Sequence, residues 1–503
     1  MRILIFHGYL LGGTGSNVYN ARLAAALVRA GHEVHLLCQE RDPFEQGWVD
    51  AAGHWDGGEL VLETRREPVS ATVYRPDLGG LLPVYVADRY DGVEAKPFSD
   101  LTDAELDRYL ERNVAAVREV AERVRPDVAL ANHLVMGPAV LARALEGVPY
   151  AVKVHGSALE YTVKPNPERF LPYAREGLAP AQAVLVGSRH TAESLWAAMG
   201  DPSVEARTRL GPPGVDIAEF TPREPDAARN GLTALEQRLR HAPAGDRDSS
   251  FARDPAAAAD ALATIRPEDR LVVFVGKLIA SKGVDLLLGA WPLVLQRVPD
   301  AKLVIVGFGA FREGLERLAH DLAAGDLDAV GATRGESGIE LKYLASFLAE
   351  PPAGYAEAAE GLPERIVWAG RLDHGELVDL LPATEAMVVP STFPEAFGMV
   401  AAEAAACGSL PVVAHHSGLA EVAATLAEAV PEAARGLLSF ERGPGAIPAL
   451  AAAVAGWLEA PESLRAPTRE AMVAITRERY SWEGVARTLL AAAQGRLDGL
   501  PAP

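Results

Sequence analysis

Two series of short apolar runs, each alternating with helix-like segments, restrict the fold of this chain more than any other feature. In both series the segments between runs carry apolar residues at helical spacing, as in residues 17–30 and 101–125. Parallel strands need long crossover connections, usually helices, so the pattern predicts two doubly wound α/β sheets. The runs are 2–6, 34–38, 128–131, 150–155 and 183–186 in the first series, and 271–276, 302–306, 365–369, 386–389 and 410–414 in the second.

A proline- and glycine-rich junction at 211–216 separates the two series. We therefore predict a first domain over 1–208 and a second over 209–474, with ligands bound in the cleft of a bilobed protein. Two segments interrupt the second domain. Residues 226–270 are polar and weakly periodic, as in a disordered insertion, and 321–363 contain an amphipathic helix at 341–348 with no chemical role assigned.

Composition limits the functional classes. The formal net charge of −20 over 503 residues argues against nucleic acid or anionic lipid as the main partner. No apolar run approaches the ~20 residues of a membrane-spanning helix, so none is predicted. Cys38 and Cys407 lie in apolar contexts and are expected as buried free thiols in a reducing cytoplasm.

Residues 391–421 carry the most informative motif. An apolar run ending in Pro390 leads into a turn with Glu395 and Gly398, and a small-residue helix containing Glu403 follows. Such a strand, turn and helix N-terminus favour phosphate, because free N–H groups and the positive end of the helix dipole lie there. The two carboxylates could reach opposite ends of an elongated ligand such as a sugar nucleotide. The alternative is an alanine-rich helix with one solvated and one capping glutamate.

The frame Glu395-Ala-Phe-Gly-Met-Val-Ala-Ala-Glu403 resembles the donor motif of retaining family-four glycosyltransferases of GT-B fold. The resemblance implies two Rossmann-like lobes with a donor cleft, a nucleotide diphosphate sugar as donor, and transfer with retention of anomeric configuration. It places Glu395 beside the donor sugar and Glu403 on the ribose hydroxyls. It also implies a C-terminal helix at 475–503 that returns to the first lobe, and donor contacts from Phe397, Gly398, Met399 and Val400.

A second loop of the same lobe, residues 276–283, follows a predicted strand and resembles the family's diphosphate-binding loop. Lys277 and Lys282 are two of only seven lysines, against 41 arginines, which makes solvated surface lysines a weaker explanation. Two cations on one turn can neutralise a departing pyrophosphate without a metal. The family usually has arginine at the first position, so here a point charge replaces a bidentate fork. Gly276 opens this loop, and Gly307 opens another glycine turn that the family uses near the nucleotide.

The first domain offers weaker signals. His155 ends a predicted strand, where ligand sites of α/β sheets lie, and the resemblance puts it beside the reacting carbon of the donor sugar. A satisfied core histidine is the alternative. The loop carrying Gly13 and Gly15 is expected near the donor diphosphate, or is only a tight turn. Lys153 and Lys164 belong to a basic group that either binds an anionic acceptor or is solvated.

The expected partners are a nucleotide sugar donor and a small-molecule, glycan or lipid-linked acceptor, with neither cofactor nor metal. Adjacent His415 and His416 would point to opposite faces and make a poor metal pair. The acidic pair in Asp246-Arg-Asp248 has no strand before it and is rejected as a metal site. A nucleotide-sugar epimerase, a phosphorylase of the same fold and a non-enzymatic carbohydrate-binding scaffold stay open as alternatives.

Overall fold

The computed structural model describes residues 1–12, 14–85, 94–243 and 253–503. The chain forms two compact units, one of Met1–Gly214 with Tyr480–Pro503 and one of Val215–Arg479. The predicted boundaries, 208/209 and 474/475, lie a few residues earlier. A strand at Thr208–Leu210 still pairs within the first unit, which moves the first boundary beyond the predicted position. Gly13, Asp246 and Asp248 lie outside the described residues.

The first unit is built on a nine-stranded sheet. Its strands, with a separate two-stranded sheet of β6 and β7, are β1 (Arg2–Phe6), β2 (Glu33–Leu37), β3 (Ala51–Asp56), β4 (Glu59–Thr64), β5 (Ala71–Arg75), β6 (Leu81–Val84), β7 (Glu94–Pro97), β8 (Val128–Asn132), β9 (Tyr150–Val154), β10 (Ala183–Val186) and β11 (Thr208–Leu210). Its helices before the junction are α1 (Gly15–Arg29), α2 (Asp103–Val124), α3 (Gly137–Ala144), α4 (Pro167–Leu178), α5 (Arg189–Met199) and α6 (Pro202–Arg207).

The strand order of this sheet is β11-β10-β9-β8-β1-β2-β5-β3-β4, and every pair except β3 with β4 is parallel. From β1 the chain proceeds outward through β2, and after β8 it proceeds through β9 in the opposite direction. The carboxyl ends of β1 and β8 therefore flank the topological switch point, where open α/β sheets place their ligands.

Helix α2 shows how the sequence determines these elements. Thr102 and Glu105 form a reciprocal capping box at its start, which satisfies two backbone N–H groups that have no partner within the helix. Apolar residues on one face, including Leu110 and Val117, are fully buried in the core of the first unit. Arg125 ends the helix in the left-handed conformation at φ 50°.

The second unit has a six-stranded parallel sheet in the order β14-β13-β12-β15-β16-β17. Its strands are β12 (Arg270–Val275), β13 (Ala301–Val306), β14 (Ile366–Gly370), β15 (Ala386–Val389), β16 (Leu410–Ala414) and β17 (Ser439–Phe440). Its helices are α7 (Pro225–His241), α8 (Pro255–Leu262), α9 (Val284–Arg297), α10 (Arg312–Ala323), α11 (Leu327–Ala332), α12 (Lys342–Leu348), α13 (Tyr355–Ala359), α14 (Leu362–Arg365), α15 (His374–Leu380), α16 (Met399–Ala406), α17 (Ser417–Ala429), α18 (Glu432–Arg435), α19 (Ala446–Glu459) and α20 (Glu462–Tyr480).

The last helix, α21 (Trp482–Ala493), returns to the first unit as predicted. Trp482 and Leu489 are buried in the same hydrophobic cluster as Tyr19 of α1, and the Trp482 and Tyr19 rings meet at a centroid distance of 5.4 Å. Burial of these large side chains fixes the C-terminal helix against the first sheet. Among the described residues, no helix combines the length and apolarity that a membrane span needs.

The prediction for the first insertion was wrong where the structure describes it. Residues 226–243 and 253–270 are largely helical, and α7 buries Leu235 and Leu239 although its composition is polar. Apolar side chains four residues apart form the buried stripe of this helix. The many charged residues around them made this helical periodicity weak in the sequence. The amphipathic helix predicted in the second insertion is confirmed as α12, which buries Leu344 and Phe347.

Candidate active site

Two loops meet at the switch point of the second sheet, where β12 lies beside β15. The loop Gly276–Gly283 follows β12, and the segment Ser391–Gly398 follows β15. Gly283 has φ +68°, and a Cβ there would lie 2.0 Å from the Pro390 carbonyl oxygen, so only glycine allows this approach. The Thr392 N–H also donates to the Ser281 carbonyl at 2.9 Å. The sequence patterns thus converge on one edge of the sheet.

Lys282 and Glu395 form an ion pair across these two loops. The Ser391 hydroxyl donates to the same carboxylate oxygen at 2.6 Å. Burial alone would raise the pKa of Glu395, but the Lys282 ammonium and the Ser391 hydroxyl outweigh it and hold the pKa below its usual value. The carboxylate is therefore ionised at neutral pH and positions the ammonium at the switch point.

His416 and Ser417, at the end of β16 and start of α17, hold the backbone of this turn. His416 Nε2 lies 2.7 Å from the Ser391 carbonyl oxygen, and its Nδ1 lies 3.0 Å from the Ser417 hydroxyl. Ser417 Oγ in turn accepts from the Glu395 N–H at 2.9 Å. Sequence reasoning considered His416 only as a metal ligand and gave these residues no part in the site. Their position just after the carboxyl end of β16 was the sequence feature that could have indicated a role in the site.

Helix α16 starts directly after this turn. Gly398, at φ +107°, is its N-cap, and a Cβ there would lie 2.5 Å from a methyl carbon of Leu419. Phe397 is buried, and Met399 and Val400 form the first helical positions. The N–H groups of a first helical turn have no partners within the helix and can bind anions. The geometry suits the predicted donor contacts of these residues.

Glu403 lies in the second turn of α16 and is buried, with a relative exposure of 2%. Its Oε1 atom is 2.7 Å from His374 Nε2, and the His374 ring lies 5.0 Å from the ring of Phe220. A buried carboxylate needs such a partner, because an unpaired buried charge is costly. The two residues are 29 positions apart in the chain, and the sequence analysis did not identify this contact.

The remaining donor-loop residues lie around the same edge. Lys277 Nζ is 6.0 Å from the centroid of the Phe308 ring, which the Arg371 guanidinium also approaches, at 5.8 Å. Gly276 donates from its N–H to Val306, and Gly307 donates to Gly370, at 2.8 Å in the second case. The predicted residues Lys277, Gly276 and Gly307 are thus on adjacent strand ends.

In the first unit, His155 follows β9 and joins a polar network beside the switch point. Its Nε2 lies 2.8 Å from Asn132 Oδ1, and Asn132 Nδ2 donates to the Phe6 carbonyl at 3.2 Å. The backbone contact orients the amide so that its oxygen faces His155, which therefore carries its proton on Nε2. Burial, followed by the nearby His133 and Lys153, holds the pKa of His155 well below its usual value, so the ring is neutral.

Two further histidines belong to this cluster. His7 contacts Asn17 and Asn20, each at 3.0 Å, and burial lowers its pKa to about 4. His133, at φ +67°, is buried between the rings of Tyr85 and His155, and neither of its ring nitrogens has a hydrogen-bond partner among the described residues. Sequence analysis selected His155 alone. His7 and His133 directly follow β1 and β8. Like His155, they lie at the carboxyl ends of strands that the sequence predicts, where α/β sheets bind ligands.

The acceptor prediction for Lys153 does not suit its position. Lys153 is buried and donates to the Gly211 carbonyl, and burial lowers its pKa to about 7. Lys153 and His155 lie on the same face of the strand, since both contact Tyr19, and that face is interior. Lys164 pairs with Glu160 at 2.9 Å on the surface. Gly15 is the first residue of α1 rather than part of the preceding turn.

No group of histidine, cysteine, aspartate or glutamate side chains suited to hold a metal ion occurs within the described ranges of the chain. Cys38 and Cys407 are buried free thiols, as predicted.

Two family models match the chain. The one described as "Glycosyl transferase 4-like domain" matches residues 14–214, and the one described as "Glycosyl transferases group 1" matches 260–327 and 355–478. The chain belongs to this glycosyltransferase family. The stretches outside both matches within the second unit, 215–259 and 328–354, fall largely within the two predicted insertions. The match on both units confirms the predicted family and, with the two doubly wound sheets, the GT-B fold class.

Curated relatives and solved structures agree with this assignment. The chain is 34% identical over 242 residues to a GDP-mannose-dependent alpha-(1-6)-phosphatidylinositol monomannoside mannosyltransferase of Mycolicibacterium smegmatis, covering 46% of this chain and 52% of that protein. It is 30% identical over 292 residues to a D-inositol 3-phosphate glycosyltransferase of Segniliparus rotundus, covering 57% and 47%. The chain thus spans about half the length of these relatives.

The Anabaena protein Alr3699/HepE, solved in complex with UDP-glucose, has the same fold as this chain. The TM-score is 0.56 at 18% identity, over 98% of this chain and 99% of that one. At this identity the likeness concerns the fold alone.

Proposed function

We propose that this protein transfers a hexosyl group from a nucleotide diphosphate sugar to a hydroxyl acceptor, with retention of anomeric configuration and without a metal. The observation that carries the proposal is the convergence of Lys282 and Glu395 at the switch point of the second sheet. Relatives described as GDP-mannose-dependent and a structural neighbour solved with UDP-glucose support a nucleotide sugar as donor.

In this proposal the second unit holds the donor. Lys277 and Lys282 neutralise the diphosphate, whose negative charge grows as the glycosidic bond breaks, and this is the role that a metal would otherwise have. Glu403, positioned by His374, binds the ribose hydroxyls. The N–H groups at the start of α16 bind phosphate or sugar oxygens. Glu395 lies beside the sugar and keeps Lys282 in place.

In the first unit, we expect His155 to bind a sugar hydroxyl. Its neutral ring has Nε2 committed to Asn132, which leaves Nδ1 as a hydrogen-bond acceptor for a sugar hydroxyl. The acceptor is a small molecule, a glycan or a lipid-linked sugar. Relatives described as acting on inositol 3-phosphate or phosphatidylinositol monomannoside make a phosphorylated inositol compound the first acceptor to test.

The experiment is product analysis. The protein is incubated with GDP-mannose, UDP-glucose or UDP-N-acetylglucosamine and an inositol phosphate, and the first-formed product is examined by NMR with and without EDTA. The proposal predicts that the product keeps the anomeric configuration of the donor sugar. It also predicts that EDTA leaves the rate of transfer nearly unchanged. Inverted product contradicts retention, and complete loss of activity restored by a divalent ion contradicts metal independence.

The same assay separates the alternatives. An epimerase converts the donor with no acceptor present, and a phosphorylase needs inorganic phosphate. A carbohydrate-binding scaffold releases no nucleotide with any acceptor. The pairing of Lys282 with Glu395 disfavours the scaffold, because even a partly buried charge pair carries a desolvation cost that a purely structural position does not require.

A further inference from the structure

The segment 328–354 lies between the two parts of the chain that the group 1 family model matches. Within it, residues 334–340 fold back on themselves. Arg334 and Glu340 form an antiparallel bridge, and the Gly335 N–H donates to the Ile339 carbonyl at 2.8 Å. Ser337 and Gly338, at φ 58° and 80°, make the turn. We call residues 334–340 the brace.

The brace contacts the diphosphate loop directly. The Glu336 carboxylate accepts a hydrogen bond from the Ala280 N–H at 2.8 Å. Gly335 packs so closely on the loop that a Cβ there would lie 2.6 Å from Cβ of Ala280. Ala280 opens the single 3₁₀ turn Ala280–Lys282, whose last residue is Lys282. The brace therefore contacts the turn that carries the lysine paired with Glu395.

An N–H group that opens a helical turn has no acceptor within that turn, so an external carboxylate stabilises it. On the other side of the same turn, the Ser281 carbonyl accepts from Thr392. The turn is thus held from two sides, by the segment after β15 and by the brace. A turn fixed in this way loses less conformational freedom when it binds a ligand.

We propose that Glu336 is a positioning residue for the donor diphosphate. It fixes the Ala280–Lys282 turn and thereby sets the place of the Lys282 ammonium. This inference rests on the proposed function, because it assumes that the loop binds a diphosphate. It assigns a role in donor binding to a segment that the family model does not match.

The carboxylate of Glu336 is negatively charged and would repel a diphosphate. The tests must therefore separate the effect of this charge from the effect of the hydrogen bond. The charge of Glu336 also affects Asp285, a buried carboxyl. Burial, and to a smaller extent repulsion from Glu336, raises the pKa of Asp285 to about 7. Glu336→Gln keeps an oxygen acceptor for the Ala280 N–H and removes the charge. Glu336→Ala removes both. Glu340→Ala, at an exposed side chain of the same brace, is the matched control.

The first test measures hydrogen exchange by mass spectrometry in the protein without nucleotide. We expect Glu336→Ala to speed exchange in the peptide containing Leu278–Gly283, and Glu336→Gln and Glu340→Ala to leave it close to wild type. Unchanged exchange in Glu336→Ala overturns the proposal. This test does not depend on nucleotide binding, so it holds even if the proposed function fails.

The second test is calorimetric titration with ADP, GDP and UDP. We expect Glu336→Ala to bind the preferred nucleotide about tenfold more weakly, as for loss of one hydrogen bond to a charged group, while Glu336→Gln and Glu340→Ala stay near wild type. Tighter binding in both Glu336 variants shows charge repulsion instead and overturns the proposal, as does wild-type affinity in Glu336→Ala. Failure of wild type to bind any of the three contradicts the proposed function itself.

Discussion

The Lys282 ammonium is paired with the Glu395 carboxylate, and this contact joins the loop after β12 to the turn after β15. The sequence analysis assigned Lys282 to the diphosphate of the donor and Glu395 to its sugar. If these assignments hold, the pairing brings the diphosphate and sugar subsites next to each other. Replacing either residue is therefore expected to change the electrostatic environment of the other side chain.

Glu395→Gln and Glu403→Gln are expected to impair different kinetic parameters. The proposed function places Glu395 at the reacting end, so its loss should lower kcat. It places Glu403 on the ribose, remote from the chemistry, so its loss should mainly raise KM for the donor. Steady-state kinetics of both variants with a nucleotide sugar check this. Wild-type kinetics in both would make the glutamate motif a structural coincidence.

His374 and Glu403 are expected to act as one unit. Their atoms are 2.7 Å apart, so His374→Ala should weaken donor binding much as Glu403→Gln does, and the double variant should be little worse than either. The measurement is a double-mutant cycle on the dissociation constant of the nucleotide diphosphate. Additive losses, with no coupling energy, would show that His374 does not position Glu403.

Most buried strands of both sheets were predictable from sequence, although the buried strand β5 was missed. Strands β1, β10, β15 and β16 occur at the predicted residues, because continuous apolar runs bounded by turns leave little alternative. The β3–β4 hairpin was missed. Strand β4 is exposed along almost its whole length, so it has no alternation of apolar and polar residues, although the Gly57-Gly58 pair was an available turn signal.

The candidate site was predictable only in part, for a physical reason. Glu395, Glu403 and the two loop lysines belong to local motifs whose spacing is visible in sequence. His374, His416 and Glu336 act through contacts with residues distant along the chain, and only the folded sheet brings those residues together. Lys153 shows the opposite case, since its basic character suggested an accessible position, whereas the folded chain buries it.

Asn132 is expected to control turnover through His155. Replacing it with alanine removes the acceptor that fixes the Nε2 proton, so the ring can adopt the other tautomer. We expect Asn132→Ala to lower kcat roughly tenfold, about the worth of one hydrogen bond, with little change in nucleotide affinity. Asn113→Ala, at another buried asparagine of the first unit, is the control. A changed nucleotide affinity with unchanged kcat would contradict this role.

The histidine cluster is expected to make the first unit sensitive to acid. Burial lowers the pKa of His7 to about 4, so below pH ~6.5 the unfolded chain binds protons that the folded chain does not. Stability is therefore fully present above pH ~6.5 and is lost as the pH falls toward 4, by up to about 3 kcal/mol for His7.

Urea unfolding at pH 7.5 and pH 5.0 checks this expectation. The loss of unfolding free energy between the two pH values should be smaller in His7→Gln than in wild type. His241→Gln, at an exposed histidine of the second unit, should behave like wild type. An equal loss in wild type and His7→Gln would show that His7 is not buried in its neutral form.

The central claim is that the loop Gly276–Gly283 neutralises the diphosphate of a sugar donor, and Lys282→Ala tests it most directly. The measurement is the rate of hexosyl transfer by Lys282→Ala, with Lys277→Ala and the milder Lys277→Arg beside it and Lys342→Ala, at an exposed lysine of the same unit, as control. A charge-assisted contact is worth roughly 1.5–3 kcal/mol, so each alanine variant of the loop should lose on the order of ten- to a hundredfold in rate. Full turnover in a folded Lys282→Ala protein would contradict the account.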